Sequence, residues 1–159
     1  MKVSALTGDD NYFEDFSVGQ TWRHARGKTV TEMDGVLLTH LVMNTAQAHF
    51  NEDMASKTPF EHIIVFGGVV ASIVIGLASQ DTAENALREL GLDGVRFKVP
   101  TRHGDTLYAT TEVVDVEDGD RDDAGIVTFK HTGMNHEGEE VCEATRTVLV
   151  KRRSHWADR

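Results

Sequence analysis

Eight histidines and a single cysteine are the side chains of this sequence best suited to moving protons or holding a metal. An imidazole titrates near about pH 6.5, so it can act as a neutral base and then as a cationic acid around neutrality. His49 closes the polar run Met43-Asn44-Thr45-Ala46-Gln47-Ala48-His49, directly after an apolar helical pattern. It either faces a cleft there or is satisfied by a backbone carbonyl at the helix end. His40, His62 and His103 follow no zinc spacing, and Cys142 has no second thiol beside it, so no metal site is expected. Gly67-Gly68 opens a long apolar segment. Free amides at a helix start favour negative charge, although glycine is also common there for steric reasons alone.

These residues must be held by ordered elements, and the pattern of apolar residues supplies them. Residues 21–30 mix β-branched, aromatic and polar side chains and read as a strand or hairpin feeding a helix. Thr31 is the expected N-cap, with Asp34 in place of the Glu of an ideal capping box. From residue 32 to 50, Val36, Leu37, Leu41, Val42 and Ala48 recur at roughly helical spacing, which predicts a helix or helix-turn-helix. Residues 66–79 carry Val69, Val70, Ile73, Val74 and Leu77 at helical spacing with small residues among them, the pattern of a buried central helix. Strands are expected at residues 94–99, 106–116, 126–134 and 141–151, with a turn at 135–138 and an acidic loop at 119–125. One buried helix followed by a run of antiparallel strands is an α+β order, in which a curled sheet wraps a helix.

Composition narrows the function classes. At 159 residues, with 40% hydrophobic and 26% charged residues, the chain is expected to form a single domain over residues 1–159. A net charge of −10 argues against nucleic acid, whose phosphates need clustered Lys and Arg. The run Lys151-Arg152-Arg153 reads as a solvated tail, and the first ten and last six residues as loose ends. Cys142 sits in an alternating apolar strand and reads as a small core residue. Nothing resembles a leader or a membrane span, which gives the expectation of a cytoplasmic protein with no membrane partner.

Four stretches together, KTVTEMDGVLLTH, NTAQAHFNEDMASKTPF, IIVFGG and HGDTLYATTEV, resemble the MaoC-like (R)-specific enoyl-CoA hydratases over most of residues 11–150. The resemblance implies a hot-dog fold, a coenzyme A thioester as substrate and no cofactor beyond the coenzyme A it carries. The family motif runs Asp-x-Asn-Pro-Leu-His. Here the histidine is His49, and Asn44 occupies the position of the aspartate. Thr58-Pro59-Phe60 anchors the register, and Gly67 lies eighteen residues beyond His49, where the family has its oxyanion-hole glycine. The resemblance thus implies a catalytic set of His49, Asn44 and Gly67. FEDFSVGQ and SQDTAENALRELGLDGVRF are further similar to the mesaconyl-CoA hydratase branch, which acts on short, branched or acidic acyl groups.

In that set His49 handles the proton, Gly67 offers its N–H to the thioester oxygen, and Asn44 positions the water through its amide. Phe66 and Ile75 stand where relatives carry His and Ser, which alters the acyl pocket. The leading expectation is reversible hydration of a 2-enoyl-CoA by a homodimer or higher homo-oligomer with its site between subunits. One alternative is an acyl-CoA thioesterase, against which stands the absence of any acid between Gly67 and Ser79. The other is a non-catalytic acyl-CoA-binding subunit of a hot-dog heterodimer, a reading that Asn44 keeps open.

Overall fold

A computed structural model describes residues 1–6 and 11–158. In chain order its elements are β1 (Lys2–Val3), β2 (Thr21–Thr29), α1 (Glu32–Leu41), α2 (Glu52–Ala55), α3 (Gly67–Thr82), β3 (Ala86–Phe97), β4 (Thr106–Glu117), β5 (Ala124–Met134), β6 (Glu140–Lys151) and α4 (Arg153–Trp156). The strands form one sheet in the order β1-β2-β4-β5-β6-β3. β1 runs parallel to β2, and every other neighbouring pair is antiparallel. The sheet curls around α3, so the α+β hot-dog arrangement expected from the order of elements is present.

Alternation explains the inner face. Along β4, β5 and β6 buried residues alternate with more exposed ones, and Leu107, Ala109, Val113, Val127, Phe129, Val148 and Val150 turn inward. Register shifts at Arg23/Gly27 in β2, Val113/Asp115 in β4 and Gly133/Met134 in β5 let the sheet bend. At Gly133 the strand passes so close to α3 that a Cβ would collide with Val74. The β-branched content of α3 is no obstacle, because Val69, Val70 and Val74 are buried and burial outweighs a weak propensity. Its hydroxyls are also satisfied within the helix: Ser72, Ser79 and Thr82 donate to the carbonyls of Gly68, Ile75 and Ala78 at 2.8 Å.

Several expected boundaries move. The first long strand after α3 begins at Ala86 and not at residue 94. It is an edge strand with three register shifts against β6, which erase the alternation that would have revealed it. α3 runs past Ser79 to Thr82 and so does carry an acid, Asp81. α1 ends at Leu41, and Met43 takes a positive φ of 58°, so the segment up to Phe50 is not one helix. The apolar stripe of α1 is not a core face: Leu37, Leu41 and Val42 are 49%, 67% and 59% exposed, whereas Gly35 and Thr39 face inward. Gly35 lets α1 lie close over the His103 ring on that inner side, where a Cβ would strike it. The Thr31 capping box closes fully with Asp34, whose carboxylate accepts from Thr31 N at 2.9 Å.

The chain ends are not loose within the described residues. β1 pairs with β2, and Ser4 is buried with its Oγ accepting from Ala25 N at 3.0 Å. The basic run is folded in: Lys151 ends β6, Arg152 stacks on Phe13 and binds Asp118 at 2.6 Å, and Arg153 pairs with Asp15. Trp156 Nε1 donates to the Asp123 carbonyl at 3.1 Å. Residues 7–10 and 159 lie outside the described residues.

The interior has two apolar clusters separated by a polar layer. Val30, Val74, Leu107, Val141 and Cys142 belong to one cluster, and Phe13, Phe16, Trp22, Val113 and Phe129 to the other. Between them Asp81 Oδ2 meets His24 Nδ1 at 2.5 Å, His24 Nε2 meets Thr111 Oγ1 at 2.6 Å, and Thr111 Oγ1 meets His131 Nδ1 at 2.8 Å. The proton order follows from the acceptor end. A carboxylate only accepts, so His24 donates from Nδ1, Thr111 donates to His24 Nε2, and His131 Nδ1–H donates to Thr111. Burial lowers the pKa of His24, against the opposing hydrogen bond and charge of Asp81, so the imidazole is a neutral donor and the contact is not a salt bridge. Burial, helped by Arg146 and His24, pushes His131 down to about 3. Arg146 is itself buried and forked onto Glu89 through two 2.7 Å bonds.

Candidate active site

His49 lies on a single 3-10 turn, Gln47–His49, that follows the break after α1. Its Nδ1 is 2.9 Å from the carbonyl oxygen of Ile64, on the segment leading into α3. A carbonyl can only accept, so in the neutral ring Nδ1 carries the hydrogen and Nε2 keeps its lone pair. The backbone carbonyl that the sequence offered as one reading of this residue thus satisfies one nitrogen, and the other nitrogen makes no hydrogen bond to the carbonyl.

The same ring lines a cavity of about 320 Å³ together with Gly67, Phe97, Lys98, Thr101 and Val141. Gly67 is the first residue of α3, and no side chain caps that end. The first ladder bonds come from Val69 and Val70 to the Phe66 carbonyl, so the amides of Gly67 and Gly68 precede the intrahelical pattern. A hydrogen-bond donor and the positive end of a 16-residue helix thus adjoin the cavity that His49 lines. A Cβ on Gly67 would come within 2.8 Å of the Phe97 ring, so a larger residue here would have to displace that ring.

Asn44 is placed differently. Its Oδ1 accepts from Ala46 N at 2.9 Å, an Asx turn that carries the chain from Met43 toward the His49 turn. Its backbone N–H donates to Thr39. It is not among the residues lining the cavity. Of the three expected residues, His49 and Gly67 line one cavity, and Asn44 binds within its own loop through Ala46 N.

The acid found on α3 also stays away from this site. Asp81 points to His24 in the polar layer and borders a separate cavity of about 290 Å³ beside Arg26 and Gly76. The remaining histidines have other neighbours: His62 Nδ1 is 2.7 Å from Glu52, His40 packs on Phe50, and His103 lies under Gly35. Among the described residues no group of three His, Cys, Asp or Glu could hold a metal ion. Burial raises the Cys142 thiol to about 11, so it is an inert core group. Phe97 and Lys98, at the end of β3, had no chemical signature in the sequence. Only the fold brings them to His49.

Comparison with known proteins places this geometry in context. A family model described as mesaconyl-CoA hydratase matches residues 3–152. A β-methylmalyl-CoA dehydratase of Chloroflexus aurantiacus is 34% identical over 156 residues, covering 95% of this chain and 43% of that protein. The (R)-specific enoyl-CoA hydratase of Rhodospirillum rubrum is 34% identical over 154 residues, covering 93% of this chain and 99% of that one. The crystal structure of a putative MaoC domain protein dehydratase from Chloroflexus aurantiacus superposes with a TM-score of 0.87 at 34% identity, over 94% of this chain and 43% of that one. The chain therefore spans less than half the length of the first curated relatives it matches.

Proposed function

The chain belongs to the mesaconyl-CoA hydratase family, and from that premise we propose that it adds water reversibly to a 2-enoyl-CoA thioester. One observation carries the reading. His49, its Nδ1 occupied by the Ile64 carbonyl, shares a cavity with Gly67 at an uncapped helix start. In the hydration direction Nε2 takes a proton from water as the water oxygen bonds to the β-carbon. The electron pair of the double bond moves through the α-carbon onto the thioester oxygen, and the Gly67 N–H stabilises that developing charge. The α-carbon then takes a proton, with the imidazolium as the available acid, and the thioester carbonyl re-forms.

A cavity of about 320 Å³ lies at the small end of ligand sites and suits a short acyl group, with the coenzyme A outside it. Together with the names of the relatives, this favours a short branched or dicarboxylic acyl group such as mesaconyl. No cofactor enters the scheme, because coenzyme A arrives as part of the substrate. Residues 1–159 act in this reading as one MaoC-like domain of a cytoplasmic enzyme. No described helix is long and apolar enough to cross a membrane.

The assembly belongs to the same reading. β3 is the outer strand of the sheet on one side and exposes Leu90, Leu92 and Phe97. A bare apolar edge beside the cavity is a liability that pairing with a second subunit removes, and a homodimer with its cleft at the interface follows. The thioesterase alternative loses support, since the one acid on α3 faces His24. The non-catalytic subunit keeps one specific observation, the engagement of Asn44 in its own loop.

The test is direct. The purified protein is offered crotonyl-CoA and mesaconyl-CoA, and loss of the conjugated double bond is followed, with light scattering in parallel. We expect turnover by a dimer or larger assembly and none by His49→Ala, which should remain folded. Turnover by His49→Ala within about threefold of the parent would remove the imidazole from the mechanism. A parent that binds the thioesters without hydrating them would favour the non-catalytic subunit.

A further inference from the structure

We propose that Phe97 is a positioning residue, whose ring keeps water from the Gly67 amide that takes the charge of the thioester oxygen; this deepens the hydration reading and rests on it. The ring itself, and not only the Phe97 backbone, is placed at Gly67: a Cβ built there would meet Phe97 Cζ at 2.8 Å and both Cε atoms at 3.0 Å. The tip of the phenyl ring therefore rests beside the Cα of Gly67, the residue through which the start of α3 borders the cavity lined by His49. Phe97 is 53% exposed, as expected for a side chain that reaches from the sheet edge with its tip on the glycine and its flanks open.

The sheet explains why the ring points there. Phe97 ends β3 opposite Cys142 of β6, and directly opposed residues of an antiparallel pair share a face. Cys142 is fully buried in the cluster that holds Val74, so Phe97 also points toward α3. Lys98, next in the chain, takes its ammonium the other way, 3.4 Å from Glu143. The register shift between Asp93 and Arg96 sets this phase. The arrangement repeats on the neighbouring glycine: a Cβ on Gly68 would strike the Phe66 ring, whose centroid is 5.5 Å from that of the His49 imidazole. Each of the two glycines that open α3 thus has a phenyl ring against it, and Val65, Val70 and Val141 add apolar wall to the cavity beside them.

An amide holds a developing oxyanion more strongly where no water competes for it or screens the helix dipole. The Phe97 tip fills space beside the Gly67 backbone that water would otherwise take, so the ring acts through the amide. It exchanges no proton or electron with the substrate. The charge it helps to stabilise exists only on the way to the product, so its removal should appear in kcat and not in KM, and should not depend on the acyl tail. Losing an oxyanion donor outright costs about 10²- to 10³-fold, and hydrating a donor that stays in place should cost less, on the order of tenfold.

The test compares Phe97→Ala, which removes the cover, with Phe97→Leu, which keeps an apolar one. Both are made in the full chain and assayed with crotonyl-CoA and the longer hexenoyl-CoA beside the parent, with light scattering and thermal melting of the same preparations. We expect Phe97→Ala to lower kcat about tenfold for both substrates with KM within about threefold, while Phe97→Leu stays within about threefold of the parent in kcat. Mass should not change. An unchanged kcat in Phe97→Ala overturns the inference, as does a raised KM at unchanged kcat, which would put the ring on the coenzyme A arm. A gain for hexenoyl-CoA over crotonyl-CoA overturns it too, since the ring would then be a wall that limits acyl length. Equal losses in both variants, a changed mass or failure of Phe97→Ala to fold likewise overturn it, because packing or the subunit interface would be the cause. A parent that hydrates no enoyl-CoA sinks the hydration reading first and the role of Phe97 with it. An active parent beside a fully active Phe97→Ala sinks only the latter.

Discussion

Acidification should weaken this protein through His131, and the size of the effect can be worked out. In the unfolded chain an imidazole titrates near 6.5, whereas burial holds His131 near about 3 in the folded state. The folded pKa is the lower one, so below about pH 6.5 the unfolded state binds more protons and stability falls as pH falls. The loss runs through the window from 6.5 down to about 3. Each unit of pH inside it costs about 1.4 kcal/mol per group, so a change from about pH 7 to about pH 5 removes about 2 kcal/mol through His131 alone. His24 is lowered for the same leading reason, burial, and adds to the loss with the same sign. Against a total of about 5–15 kcal/mol for an ordinary domain, this is a sizeable fraction. The perturbation is His131→Asn, whose amide can still donate to Thr111 Oγ1 but does not titrate. The smaller side chain leaves a void that costs stability at both pH values alike. Urea unfolding of parent and variant at both pH values, at one protein concentration because assembly is coupled to folding, isolates the pH-dependent part. The parent should lose about 2 kcal/mol more than the variant between the two conditions. Equal losses would refute the reasoning and show His131 to be paired or hydrated in the folded state.

Two further outcomes follow from the same contacts. Gly67→Ala should push the Phe97 ring out of the cavity, since the new methyl would lie 2.8 Å from it. Turnover should drop by about tenfold or more with a smaller change in stability, measured by initial rates and thermal melting of one preparation. Asn44→Ala removes the 2.9 Å bond to Ala46 N and should cost about 1 kcal/mol while lowering turnover only through a less ordered His49 turn. Asn44→Asp keeps that acceptor and should restore the stability. A loss of turnover in Asn44→Ala at unchanged stability would instead place the amide on the substrate.

How much of this could be read in the sequence depended on whether a residue's role was local. α3 was legible because its apolar spacing is long and continuous, and β4 to β6 because their inner faces alternate without interruption. His49 and Gly67 were legible as candidates through a motif and a distance along the chain, and the cavity joins them. What failed was whatever depends on a neighbour far away in sequence. The stripe Leu37-Leu41-Val42 has core spacing, yet it faces outward, and the face of α1 that packs inward is the one carrying Gly35 over the His103 ring. β3 hid its start because its register against β6 shifts three times. Asp81 lay just past the expected end of α3, and nothing local pairs it with His24, which is 57 residues away.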